Sequence, residues 1–111
     1  MAQVSEYPRI VRSVIDHYAS FKPSAGEIEV EVVIDEQSGH FELLHNGWAN
    51  GYRIHGAVIH IDIRDGKIWI QHDGTEYGVA KNLIEAGVPK DHIVLAFKPP
   101  EMRKYTDFAV A

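Results

Sequence analysis

Between His60 and His72 the chain reads HIDIRDGKIWIQH, and the Asp65-Gly66 pair inside it constrains the fold more than any other feature. Asp-Gly between two alternating apolar runs is a strong hairpin signal, because both turn positions tolerate positive φ. Ile59, Ile61 and Ile63 alternate before the turn, and Ile68 and Ile70 after it. A two-residue loop then pairs Arg64 with Lys67, Ile63 with Ile68, Asp62 with Trp69, Ile61 with Ile70 and His60 with Gln71. The isoleucines make one face of the hairpin. His60, Asp62, Trp69 and Gln71 make the other.

The segments upstream extend this pair into a sheet. From Glu27 to Asp35 the pattern alternates, with Ile28, Val30, Val32 and Ile34 on one side and acidic residues on the other, as in a half-buried strand. EQSG turns the chain back into HFELLHNGW, where Phe41 and Leu43 continue the apolar face, and Asn50-Gly51 is a second strong turn. A simple two-residue loop at Asn50-Gly51 pairs Leu43 with Val58 and Phe41 with His60, setting core side chains against polar ones. A one-residue slip reverses every side chain. One residue must therefore be absorbed, by a bulge near Gly47 or Gly56 or by a longer loop at Asn50.

Two helices flank the sheet. Ile10, Val11, Val14, Ile15 and Tyr18 recur at helical spacing, with Ser5 as cap and Pro8 in the first turn, which predicts a helix from Ser5 to Ser20. Pro23 and Gly26 break the chain after it. DGTEYGVAKNLIEAGVP predicts a second helix capped by Asp73 or Thr75, striped by Val79, Ala80, Leu83 and Ile84, and stopped at Gly87. HIVLAF is apolar on both sides and reads as a buried fifth strand; KPPEMRKYTDFAVA holds one helical turn and an apolar tail. The expected fold is α+β. A four-stranded antiparallel meander carries both helices on the face of Ile28, Val30, Val32, Phe41, Ile61 and Ile70, with a short fifth strand and a C-terminal helical turn.

Composition narrows the function. At 111 residues the chain is expected to form one domain, residues 1–111. It has no cysteine, which excludes disulfides, a thiol nucleophile and thiolate metal sites. Neither a signal peptide nor an apolar run of membrane-spanning length is read in the sequence, and a cytoplasmic location is expected. Acidic residues outnumber basic ones 16 to 11, for a formal net charge of -5. That balance disfavours strong autonomous DNA binding, since phosphate neutralisation supplies most non-specific affinity. The nearest basic patch is Lys98, Arg103 and Lys104, the candidate contacts for a weak DNA-binding accessory role.

His60 and Asp62 share a strand face, as a general base and its orienter do, yet no nucleophile is placed beside them. The plainer reading is a polar sheet face with a local hydrogen bond; the sharper one is a small enzyme or ligand-binding site. The seven histidines show neither helical i, i+4 nor knuckle spacing, so no metal site is expected. The glycines match no phosphate-binding loop, and no cofactor and no catalytic residue are assigned. Trp69, with Trp48 on the corresponding face, is the candidate anchor of a protein-contact surface framed by His60, Asp62 and Gln71, through which a homodimer is one option. The alternative is that the chain's own apolar tail folds over that face.

DGKIWIQ (65–71), TE (75–76), GVPKDHIVLAFKPP (87–100) and RKYTDFAV (103–110), with EIEVEVVID and LLHNGW upstream, resemble the XisI-type proteins, the fdxN-element excision controlling factors of cyanobacteria. The resemblance covers nearly the whole chain in order and departs at Asn46, where an apolar residue is expected, and at Ala96, where a glycine is. It implies a part in programmed DNA excision during heterocyst differentiation, beside an XisH-type controlling protein and a separate site-specific recombinase. It supplies no catalytic residue. The expected role is therefore that of an accessory protein and not an enzyme.

Overall fold

The structure, a computed structural model, describes residues 1–23 and 26–111. The elements run α1 (Tyr7–Ala19), β1 (Glu27–Asp35), β2 (His40–Ala49), β3 (Tyr52–Arg64), β4 (Lys67–Asp73), α2 (Val79–Glu85) and β5 (Ile93–Leu95). Strands β1 to β4 form the antiparallel meander in sequence order, and β5 adds at the far edge, parallel to β4 after the crossover through α2. Short 3-10 turns occupy Val4–Glu6, Lys90–His92 and Pro100–Tyr105, the last being the expected C-terminal helical turn. No helix among the described residues is long and apolar enough to cross a membrane.

Both tight turns form as the sequence predicts. Asn50 and Gly51, and Asp65 and Gly66, all take positive φ. The loop at Asn50-Gly51 has two residues, with Ala49 paired to Tyr52, so the extra residue is absorbed elsewhere. The bulge falls at Val58, where pairing jumps from Leu44–Ala57 to Leu43–Ile59, close to Gly56 but not at it. Phe41 thereby meets Ile61 and the core face stays continuous. Gly47 serves a different purpose, because β1 passes so close that a Cβ there would collide with the Glu27 carbonyl. A second bulge breaks the hairpin at Asp65-Gly66. Pairing follows the expected register from Arg64–Lys67 to Ile61–Ile70, then skips Gln71, so His60 faces His72 and not Gln71.

Tyr7, Val11 and Ile15 of α1 and Val79 and Leu83 of α2 bury against Phe41, Leu43, Ile59, Ile61, Ile68 and Ile70. Both helices thus lie on the expected face. Their cover thins toward β1, an edge strand. Val30 and Ile34 pack against the core, whereas Val32, expected in the core, is 41% exposed and Ile28 lies outside the cluster. Helix α1 begins at Tyr7 and not at Ser5, because Gln3 and Glu6 close a 3-10 turn first. The Gln3 N–H donates to the Glu6 carboxylate at 3.0 Å, and the Glu6 N–H to the Gln3 carbonyl at 2.8 Å. Helix α2 is shorter than its sequence pattern. Asp73 reaches over the loop to accept from the Val79 N–H at 2.9 Å, and Thr75 accepts from the Gly78 N–H at 3.1 Å. At its end Gly87 turns left-handed and the Val88 N–H donates back to the Leu83 carbonyl, the stop that the sequence predicts.

Candidate functional site

The face of the sheet opposite the helices is crossed by one row of register partners. Asp35 pairs with His40, His40 with Asp62, Asp62 with Trp69 and Trp69 with Val94, and Val94 bridges to Ala109 in the C-terminal segment. The Val58 bulge creates this row, since it sets His40 and not Phe41 on the Asp62 side. Spacing rules miss His40 for that reason: it is 22 residues from Asp62 in sequence and meets it only through the register.

Asp62 is the centre. It is 5% exposed, and its two oxygens have separate partners. Oδ1 faces two imidazoles, His40 Nδ1 at 2.7 Å and His60 Nε2 at 3.0 Å. Oδ2 accepts from Gln71 Nε2 at 3.3 Å and lies 3.5 Å from the Arg64 guanidinium. Glu42 stands 3.6 Å from the remaining nitrogen of His60. Burial by itself pushes the Asp62 carboxyl up, but the hydrogen bonds and charges of His40 and His60 outweigh it and hold it below the ordinary carboxylate range. His40 moves the other way, its pKa raised by its hydrogen bond to Asp62 and by that carboxylate's charge. His60, Asp62 and Gln71 therefore come together as the sequence pattern implies, and His40, Glu42 and Arg64 complete the cluster.

Trp69 lies beside this cluster and is half-buried. The Arg64 guanidinium sits 4.8 Å and that of Arg103 5.6 Å from its ring centroid, and its indole N–H is enclosed without an acceptor. Arg103 is fixed by the carbonyls of Ala96, Lys98 and Val110. Ala109 donates to the Ile93 carbonyl, Phe108 packs against the core and Val94 is fully buried. The chain's own C-terminal segment thus covers the β5 end of this face. Lys98 and Lys104 are exposed over neighbouring aromatic rings, so the three basic residues named from the sequence do not share one role.

Trp48 is not in this patch. Its partner Arg53 lies nine positions from Asp62 on β3, roughly 30 Å along the strand. Trp48 is 56% exposed, with the Arg53 guanidinium 5.6 Å from its ring centroid and Tyr52 exposed beside it. Arg53 also donates to Asn46 Oδ1 at 2.6 Å, and Asn46 donates to Glu31 at 3.3 Å. Trp48, Arg53, Gly47 and Glu29 line a shallow depression that is open to solvent.

Comparison with known proteins adds a lineage to this geometry. The family model described as XisI protein matches residues 1–110. An XisI-like protein from Anabaena variabilis, solved by crystallography, is 38% identical, with a TM-score of 0.91 over 98% of this chain and 100% of that one. A second crystal structure, described as the fdxN element excision controlling factor XisI from Anabaena variabilis, is 28% identical, with a TM-score of 0.84 over 99% of this chain and 100% of its own. Among curated proteins no relative matches.

Proposed function

The chain belongs to the XisI family, and from that premise we propose that it is an accessory controlling factor for programmed excision of a DNA element of the fdxN type. In this reading it acts through protein contacts and not through catalysis. Its setting is the cytoplasm of a cyanobacterial cell undergoing heterocyst differentiation. Its partners are an XisH-type controlling protein and, through it, a site-specific recombinase. The observation that carries the reading is the full-length likeness, in sequence and in fold, to a protein described as an fdxN element excision controlling factor.

Two features of the chain support contact over chemistry. Trp48 offers an apolar ring framed by Arg53, Asn46 and Glu29, an apolar centre with a polar rim. The acidic balance leaves little basic surface for holding DNA unaided. Trp69, the anchor expected from the hairpin pattern, lies half-buried with the Arg64 and Arg103 guanidiniums against its ring, so Trp48 is the more open of the two. One observation favours a second reading, a ligand-binding protein: the buried Asp62 with its two imidazoles.

The test is capture of partners by the tagged protein from its own cells during differentiation, with mass spectrometry of the proteins that co-purify. Wild type should retain an XisH-type protein, and Trp48→Ala should lose it with the fold intact. Truncating a central Trp anchor often costs about 2 kcal/mol or more of binding energy. Equal capture by wild type and Trp48→Ala, or sub-micromolar sequence-selective DNA binding by the isolated chain, would overturn the proposal.

A further inference from the structure

We propose that His40, His60 and Asp62 form a binding site for a divalent transition-metal ion of the zinc type, on the outward face of the sheet. The site goes beyond the excision role and does not depend on it. One nitrogen from each imidazole and one carboxylate oxygen of Asp62 all lie within 4.8 Å of one another. Zinc binds nitrogen and carboxylate oxygen at about 2.0–2.2 Å, which sets tetrahedral donors roughly 3.3 Å apart. To reach that spacing the 2.7 Å and 3.0 Å separations from Asp62 Oδ1 to the two ring nitrogens open by roughly 0.3–0.6 Å, and the two nitrogens, within 4.8 Å of each other, draw together.

The surroundings are those of an oriented ligand set. Gln71 and Arg64 hold Oδ2, which leaves Oδ1 as the single oxygen presented to both rings. Glu42 stands at the far nitrogen of His60, the carboxylate–histidine arrangement that fixes a ligating imidazole and raises its basicity. Asp35 faces His40 across β1 and β2, so the site holds three carboxylates, that of Asp62 and those of Asp35 and Glu42 around it, against the one guanidinium of Arg64. That local excess favours a dication. The His40 side chain is 60% exposed, which opens the site to solvent and leaves a coordination position for water or for a donor from a docked partner. Each ring would bind the ion as the neutral tautomer, with the lone pair at His40 Nδ1 or His60 Nε2 and the proton on the other ring nitrogen; an imidazolium would first release one proton to solvent. Two histidines from different strands and one buried carboxylate are a minimal but chemically matched set for zinc, nickel or cobalt.

Untagged protein titrated with zinc chloride by calorimetry should bind one ion per chain with micromolar or tighter affinity. Cobalt should bind at the same stoichiometry with the visible ligand-field band of a low-coordinate site. Outer partners of metal ligands are worth roughly 10–100-fold in affinity, so Gln71→Ala should weaken zinc binding by about that factor and His40→Ala and His60→Ala by more than about 100-fold. His40 is exposed, so its alanine variant should keep the wild-type circular dichroism. His55→Ala, on the same face but hydrogen-bonded to Asn46, should bind as wild type. Absence of one-to-one binding by wild type, wild-type affinity in His40→Ala and His60→Ala, or equal loss in His55→Ala would overturn the site.

Discussion

The two ends of the outward sheet face carry the same pair of residue types and do opposite things with them. At one end Trp69 lies under Arg64 and Arg103, flanked by a buried carboxylate and closed off by the chain's own C-terminal segment. At the other, Trp48 lies beside Arg53 with more than half of its surface in solvent. The difference comes from the chain downstream of each tryptophan. Beyond β4 come α2, β5 and the turn Pro100–Tyr105, which return Arg103 and Ala109 to that edge; downstream of Trp48 the chain turns directly from β2 into β3 at Asn50-Gly51. A tryptophan beside an arginine is thus no signature of a contact surface by itself. Its neighbours in three dimensions decide.

If that division is right, substitutions at the two ends separate stability from recognition. The largest loss of stability should come from Trp69→Ala, about 2–3 kcal/mol, because a large half-buried ring is removed together with the stacking of two guanidiniums. Urea unfolding reads it as a shift of the midpoint at constant slope. Asp62→Ala should rank second at about 1–3 kcal/mol, since His40, His60 and Gln71 lose their common acceptor, a carboxylate largely shielded from water. Arg103→Ala should cost about 1–2 kcal/mol through three lost carbonyl contacts, and should raise hydrogen exchange at Ala109 before that of the core strands. Trp48→Ala should be smallest, within about 0.5 kcal/mol of wild type, because its ring is mostly solvated. A cost for Trp48→Ala equal to that for Trp69→Ala would erase the distinction.

Local pattern carries much of the architecture. Period-two alternation locates β1 residue for residue from Glu27 to Asp35, and the two positive-φ turns set the sheet order. The face-sharing of His60 and Asp62 is legible for the same reason. Three features are not, and each depends on contacts distant in sequence. The need for a bulge between β2 and β3 comes from the clash of Phe41 with His60, but its position at Val58 is decided by how Leu43 and Ile59 meet under the helices. His40 depends on that bulge, so the cluster around Asp62 is only half visible in the sequence. The exposure of Val32 likewise has no local signature. Its alternation is regular and does not separate it from Val30 and Ile34, which pack against the core from the same strand.

The chain's two tryptophans, one at each end of the face, permit a direct test of its division. Trp48→Phe and Trp69→Phe each leave a single indole, whose emission and quenching by acrylamide report its own surroundings. Trp69 alone should emit toward the blue and resist quenching, whereas Trp48 alone should emit toward the red and quench nearly as free tryptophan does. Equal quenching of the two, or a protected Trp48 beside an open Trp69, would contradict the account.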